Sequence, residues 1–287
     1  MNYRHEFHAG NFADVFKHIV LARMIEHFKA KDKAFRVIDT HAGSGNYVLP
    51  PADQRNHAGK PPEWVDGIGR LVNWKPSKIV GEHLAPYLNA VFGDDGQEWD
   101  LQYPGSPLLA YKVMRKQDRL SASELYPPAY DALKKLFAGN FQAKIFDLDG
   151  WLIPGSHIPP KEKRGLMMID PPFEIEGDFW RMAQAVTEAS KRWAGGTVAL
   201  WYPLKHRPEL QGFKNLLVER EISNLLCLEL QIDGPGVVPK LFGCGMIIRN
   251  APYKLQGEME TILRELSPLL AASPNSASWS IKRLTEE

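Results

Sequence analysis

The run Gly165-Leu166-Met167-Met168-Ile169-Asp170-Pro171-Pro172-Phe173 decides how the rest of the chain is read. Four apolar residues in a row, Leu166 to Ile169, describe a strand buried on both faces, and an acid followed by two prolines ends it. Strands of this kind build parallel sheets sandwiched by helices, and such sheets bind their ligands at the carboxyl edge of the strands. The same grammar recurs on either side. Strands are expected at Phe35–Asp39, Arg119–Glu124, Ala143–Asp147 and Thr197–Trp201, with helices at Ala129–Phe137, Phe179–Trp193 and Glu209–Arg220. Alternation of strand and helix predicts an α/β, doubly wound, mostly parallel sheet.

Two apolar runs near the end, Leu225–Ile232 and Leu241–Arg249, are separated only by DGPGVVPK, which is too short for a parallel crossover. They should pair antiparallel. Near the start, Phe12, Val15, Phe16, Ile19, Val20, Ala22, Ile25 and Phe28 recur at helical spacing behind a capping Asn11, so an amphipathic helix is expected from Asn11 to about Ala30. Residues 50–103 change character. Pro50, Pro51, Pro61, Pro62, Pro76 and Pro86 punctuate two helical stretches, Glu63–Trp74 and Ser77–Phe92, which reads as a small helical subdomain inserted into a single domain spanning 1–287. A sheet of about seven strands whose last strand is antiparallel is the shape of the class I methyltransferase fold, a Rossmann-like architecture. The order of the strands is not readable from sequence.

Composition narrows the function classes. With 35 Lys+Arg against 34 Asp+Glu the net charge is +1, which excludes a broadly basic nucleic-acid coat and leaves room only for a local patch. The two cysteines, Cys227 and Cys244, are too few for a zinc cluster or a disulfide framework, and no metal site is expected. The opening MNYRHEFHAGNFADVFKH lacks an apolar secretory core, and no stretch approaches the roughly 18 apolar residues of a membrane span. The expected setting is cytoplasmic, without a membrane.

Four acids fall at the ends of expected strands: Asp39, Glu124, Asp149 and Asp170. Asp170-Pro171-Pro172-Phe173 has the chemistry for an exocyclic amine. Rigid prolines fix the backbone, so the Asp170 carboxylate and the adjoining Pro171 carbonyl can each accept a hydrogen bond from an adenine amine whose lone pair stays free to attack. Phe173 offers a face on which an extruded base can stack. The turn Asp39-Thr40-His41-Ala42-Gly43-Ser44-Gly45 lacks the Gly-Lys-Ser/Thr of a triphosphate loop and the third glycine of a dinucleotide fingerprint. It suits the zwitterionic, sulfonium-bearing end of S-adenosylmethionine better. Glu124 could bind a ribose diol, while Asp149, before Gly150 and Trp151, could accept from the cofactor's adenine amine. Residues 1–36 carry seven Lys/Arg and four His among Tyr3, Phe7 and Phe12, a mixture that positions phosphates and stacks bases, or else simply a solvated arm leading into a helix.

Taken together, the strings Tyr3 to His18 (YRHEFHAGNFADVFKH), Asp39 to Gly45 (DTHAGSG), Tyr103 to Pro107 (YPGSP), Ser123 to Pro127 (SELYP), Ile169 to Phe173 (IDPPF) and Ala199 to Pro203 (ALWYP) resemble the bacterial large-subunit ribosomal RNA adenine-N6 methyltransferase J family. The resemblance runs from Tyr3 to the SWSI at Ser278 to Ile281. It implies methylation of one adenine N6 in 23S rRNA with S-adenosylmethionine as donor, by a monomer. It further implies that Asp170 is the catalytic carboxylate, with Pro171 and Phe173 beside it. His18, His41, Ser106, Glu124, Asp149, Gly150 and Asp170 would contact the cofactor, and Tyr3, His5 and Lys17 would meet the target RNA. Phe173 stands where the family often has Tyr. Two rival readings share parts of this pattern: a DNA adenine methyltransferase, and an RNA-binding assembly protein with a decayed site.

Overall fold

The structure, a computed structural model, describes residues 8–55, 59–93, 99–205, 209–234 and 241–286. Helix α1 runs Phe12–Lys29, capped by Asn11, whose side chain accepts from the backbone N–H of Ala13 and Asp14. A cap of this kind is worth about 1 kcal/mol. The chain enters the sheet through β1 (Arg36–Asp39), turns, and forms β2 (Asn46–Val48). Two short 3₁₀ turns, Glu63–Asp66 and Ile68–Leu71, precede α2 (Lys78–Phe92), and β3 (Gln102–Pro104) pairs antiparallel with β2. Of the two helices expected here, only the second forms. Glu63–Trp74 is broken at Gly67, where a Cβ would lie 2.1 Å from the Gly10 carbonyl oxygen.

The remaining elements are α3 (Ser106–Val113), β4 (Arg119–Glu124), α4 (Pro127–Leu136), β5 (Ala143–Asp147), the single turn α5 (Ile153–Ser156), β6 (Gly165–Ile169), α6 (Asp178–Arg192), β7 (Thr197–Leu204), α7 (Glu209–Glu219), β8 (Leu225–Gln231), β9 (Gly243–Arg249), α8 (Leu255–Leu270) and β10 (Ser278–Thr285). The sheet has eight strands in the order β10-β8-β9-β7-β6-β1-β4-β5. The pairs β1/β4, β1/β6, β4/β5 and β6/β7 are parallel, so the carboxyl ends of β1, β4, β5, β6 and β7 share one edge. The two late apolar runs do pair antiparallel, and β9 also lies antiparallel against β7, wedged between it and β8. The last strand, β10, is antiparallel on β8 and brings the count to eight.

Alternation along β6 divides the core. Leu166 and Met168 join one cluster, built with α1, α2, α3 and α8, and Met167 and Ile169 join another, built with α6 and α7. Helix α1 departs from the expected amphipathic pattern. From Phe12 to Ile25 every residue is buried, including Asp14, Lys17, His18 and Arg23. It packs against α2, α3, α8 and β9 at once, which leaves it no solvated face and forces each polar side chain to find a partner. Arg23 and His27 both reach Glu258 of α8, at 2.9 and 3.0 Å. No helix among the described residues is long and apolar enough to cross a membrane.

Candidate active site

The edge of the sheet on which the parallel strands end gathers the acids. Asp39, the last residue of β1, is 2% exposed. It accepts from Ser106 Oγ at 2.6 Å, at the first residue of α3, and from the His41 backbone N–H at 3.3 Å. Burial pushes its carboxyl up to about 6; Ser106 and the Lys17 ammonium pull it down, and the Asp170 charge adds to the rise. His41 goes the other way. Burial lowers its imidazole to about 4 against the pull of Asp170 and Asp149, so it is neutral, with Nδ1 2.7 Å from Thr40 Oγ1.

Glu124 ends β4 and ties two turns together: Oε2 accepts from the Gly43 N–H at 2.8 Å and Oε1 from the Tyr126 N–H at 2.7 Å. Each oxygen retains a second lone pair. Gly43 has φ +62, and a Cβ there would sit 2.3 Å from the Tyr47 hydroxyl. Past β5, Asp149 caps the turn Gly150–Leu152 by accepting from the Trp151 N–H at 3.0 Å. At Gly150 a Cβ would stand 2.1 Å from the Thr40 carbonyl oxygen and 2.9 Å from His41 Cε1, so the two loops touch backbone to backbone. Trp151 consequently meets His41 edge-on, centroids 4.9 Å apart.

Asp170 follows β6 directly. Its Oδ2 accepts from Lys17 Nζ at 2.7 Å, and the same ammonium lies 2.8 Å from Asp14 Oδ1. The side chains of Asp14, Lys17 and Asp170 are 4%, 5% and 16% exposed. Burial disfavours the lysine's charge, but the two carboxylates more than compensate and hold it well above the ordinary range. Nζ also lies 5.6 Å from the centroid of the Trp201 ring, a cation–π distance. Pro171 is buried, and Phe173 adopts φ 52, a conformation that costs a bulky side chain roughly 1–3 kcal/mol. Its ring, 8% exposed, packs 5.2 Å from Phe179 and 5.9 Å from Trp201.

Asp39, His41, Ser106, Glu124, Asp149, Gly150, Asp170, Pro171 and Phe173 thus share one edge of the sheet. Three of the expected site residues are more enclosed than their place in the sequence suggests. Lys17 is 4% exposed and paired with two carboxylates. Phe173 does not present an open face, because Phe179 and Trp201 pack against it. His18 is fully buried, with Nδ1 2.8 Å from the Tyr103 hydroxyl, which in turn lies 3.2 Å from that of Tyr87. Tyr3 and His5 lie outside the described residues. Sequence reasoning gave no role to Asp14 or Trp201. The i,i+3 spacing of Asp14 and Lys17 was the available signal for the first; the second depends on β7 lying beside β6, which the sequence does not show.

Comparison with known proteins gives a consistent picture. A family described as "Ribosomal RNA large subunit methyltransferase D, RlmJ" matches residues 32–284. Two proteins, each called ribosomal RNA large subunit methyltransferase J, are similar along their whole lengths. The one from Escherichia coli is 37% identical over 98% of this chain and 99% of its own, and the one from Haemophilus influenzae is 35% identical over all of both. A crystal structure of a Legionella pneumophila protein superposes with a TM-score of 0.83 at 30% identity, over 96% of this chain and 98% of that one.

Proposed function

Because this chain belongs to the ribosomal RNA large subunit methyltransferase family, we propose that it transfers the methyl group of S-adenosylmethionine to the N6 amine of an adenine in 23S rRNA. The observation that carries this reading is the Asp170-Pro171-Pro172-Phe173 notch at the carboxyl end of β6, alongside strand-end acids suited to a cationic nucleoside.

The residues fit that cofactor. Asp39 is buried enough to hold a raised pKa of about 6, so a cation beside it would relieve its desolvation. Glu124 keeps lone pairs for a pair of hydroxyls, and Asp149 and Trp151 frame a site for a flat ring. When bound, S-adenosylmethionine supplies an electrophilic methyl carbon on a positively charged sulfur. Asp170 accepts one N6–H of the target adenine and the Pro171 carbonyl the other, which leaves the nitrogen lone pair aimed at that carbon. Transfer of that methyl group would leave the N6 nitrogen cationic. The cationic nitrogen then gives its proton to Asp170. Positioning supplies most of the rate, since neither partner needs prior ionisation. For Phe173 to stack on the adenine its ring must turn out of the Phe179–Trp201 packing. Tyr3 and His5 belong to the same proposal as contacts to the RNA. So does the reading of 1–287 as one domain with 50–103 inserted, which draws support from a hydrophobic cluster that includes both Trp64 and Ile68 of the insertion and Phe16 of α1.

The test is methylation of 23S rRNA transcript and of DNA of matched sequence, with the product mapped by mass spectrometry. N6-methyladenine at one position of the RNA is expected, and loss of at least a hundredfold in rate for Asp170→Ala. Methylation of DNA alone, or cofactor-independent RNA binding without transfer, would defeat the proposal.

A further inference from the structure

Asp14, Lys17 and Asp170 form a buried cluster of three charges whose central ammonium touches both carboxylates. We propose that Asp14 is a positioning residue for methyl transfer: it shares the Lys17 ammonium with Asp170, so that Asp14 can carry the ammonium when the target amine takes the Asp170 oxygen that the ammonium now holds. The inference rests on the reading of Asp170 as the amine acceptor.

An N–H donor 2.7 Å from Asp170 Oδ2 occupies the kind of seat that the adenine amine requires. If Asp170 were the lysine's only partner, incoming substrate would leave an uncompensated ammonium in a site that is 4% exposed, and removing one partner from a buried pair is strongly unfavourable. Asp14 removes that obstacle, because it is in contact with Nζ before any movement begins. It is itself held rigidly, with Oδ2 accepting the Gly10 N–H at 3.0 Å. Its place in the first turn of α1 adds the favourable field of a helix N-terminus. The Trp201 ring, 5.6 Å from Nζ, gives the ammonium a further favourable surface. The cluster also carries one more negative than positive charge, which complements the cationic nitrogen that must release a proton.

Asp14→Asn tests this, since it removes the charge while leaving an oxygen for the Gly10 N–H. The expected result is a fall of at least tenfold in kcat for 23S rRNA methylation, with the dissociation constant for S-adenosylhomocysteine unchanged within twofold by calorimetry. Should Asp14→Asn not yield folded protein, Asp14→Ser supplies an acceptor in less volume and is expected to give the same split. A kcat within twofold of the parent overturns the inference. So does a loss of kcat matched by an equal loss of affinity for S-adenosylhomocysteine, which would make Asp14 merely structural. The unmutated protein is the control: if it fails to methylate the RNA, the function fails, whereas an active parent with an equally active variant removes only the role of Asp14.

Discussion

Replacing Asp39 with Asn should make the protein more stable at neutral pH and no more stable in acid. The carboxyl is 2% exposed and its pKa is pushed up from 3.8 to about 6, chiefly by burial. Between those two values the folded protein holds a proton that the unfolded chain has released, so this group's contribution to stability falls as pH rises through the window. Above about pH 6 the full penalty is present, and roughly two pKa units at 1.36 kcal/mol each amount to about 3 kcal/mol. An amide has no charge to desolvate, and its oxygen can still accept from Ser106 Oγ, now 2.6 Å from Asp39 Oδ2, while its NH2 gives up the longer bond that Oδ1 accepts from the His41 N–H at 3.3 Å. Asp39→Asn should therefore gain up to about 3 kcal/mol at pH 7.5 and close to nothing at pH 4. For a chain of this size that corresponds to roughly 5 °C in melting temperature. Unfolding of the two proteins at pH 4, 5.5 and 7.5, without cofactor, measures it. A difference that does not change with pH, or a variant less stable at pH 7.5, would refute the account of a carboxylate kept at a cost to the fold for the sake of a ligand.

Two further substitutions probe neighbouring features. Gly150→Ala must separate the β5 loop from the Thr40 carbonyl, since the added carbon would lie 2.1 Å from its oxygen. A loss of roughly 1–3 kcal/mol in stability is expected, with S-adenosylhomocysteine binding weakened more than tenfold by calorimetry; unaltered affinity would count against a role for this contact in shaping the site. Lys17→Ala should lower turnover yet leave the salt dependence of RNA binding unchanged, because the ammonium is already neutralised by Asp14 and Asp170. A salt slope reduced by about one unit would instead make it a phosphate contact.

The strands that carry the site were legible because each sets short apolar stretches, continuous in Leu166–Ile169 and alternating with serine in Arg119–Glu124, ahead of an acid. Arg119–Glu124, Ala143–Asp147 and Gly165–Ile169 occur with the bounds expected of them. Local pattern was a poor guide where tertiary contacts decide burial. Around α1 the charged residues look solvated in sequence, yet Asp14, Lys17 and Arg23 are enclosed by elements drawn from distant parts of the chain. Phe173 looked like an open aromatic face, but its positive φ turns it toward Phe179, which no propensity encodes. Some misses were signals passed over. Leu255, Met259, Ile262, Leu263, Leu266 and Leu270 repeat at helical spacing and form the buried side of α8. The eighth strand, Ser278–Thr285, has weak alternation and half-exposed residues, as an edge position allows.

The ribbon in which Asn46, Tyr47 and Val48 lie opposite Pro104, Tyr103 and Gln102 has an evolutionary consequence. It brings the excursion back to its starting point, so the sheet is indifferent to how many residues the detour contains. Lengthening such a loop costs free energy only with the logarithm of its size. Descendants of this chain are therefore free to grow or trim the outer turns, provided they keep the buried side of α2 together with Trp64 and Ile68, which pack beside Gly10 and anchor the detour to the start of the first helix.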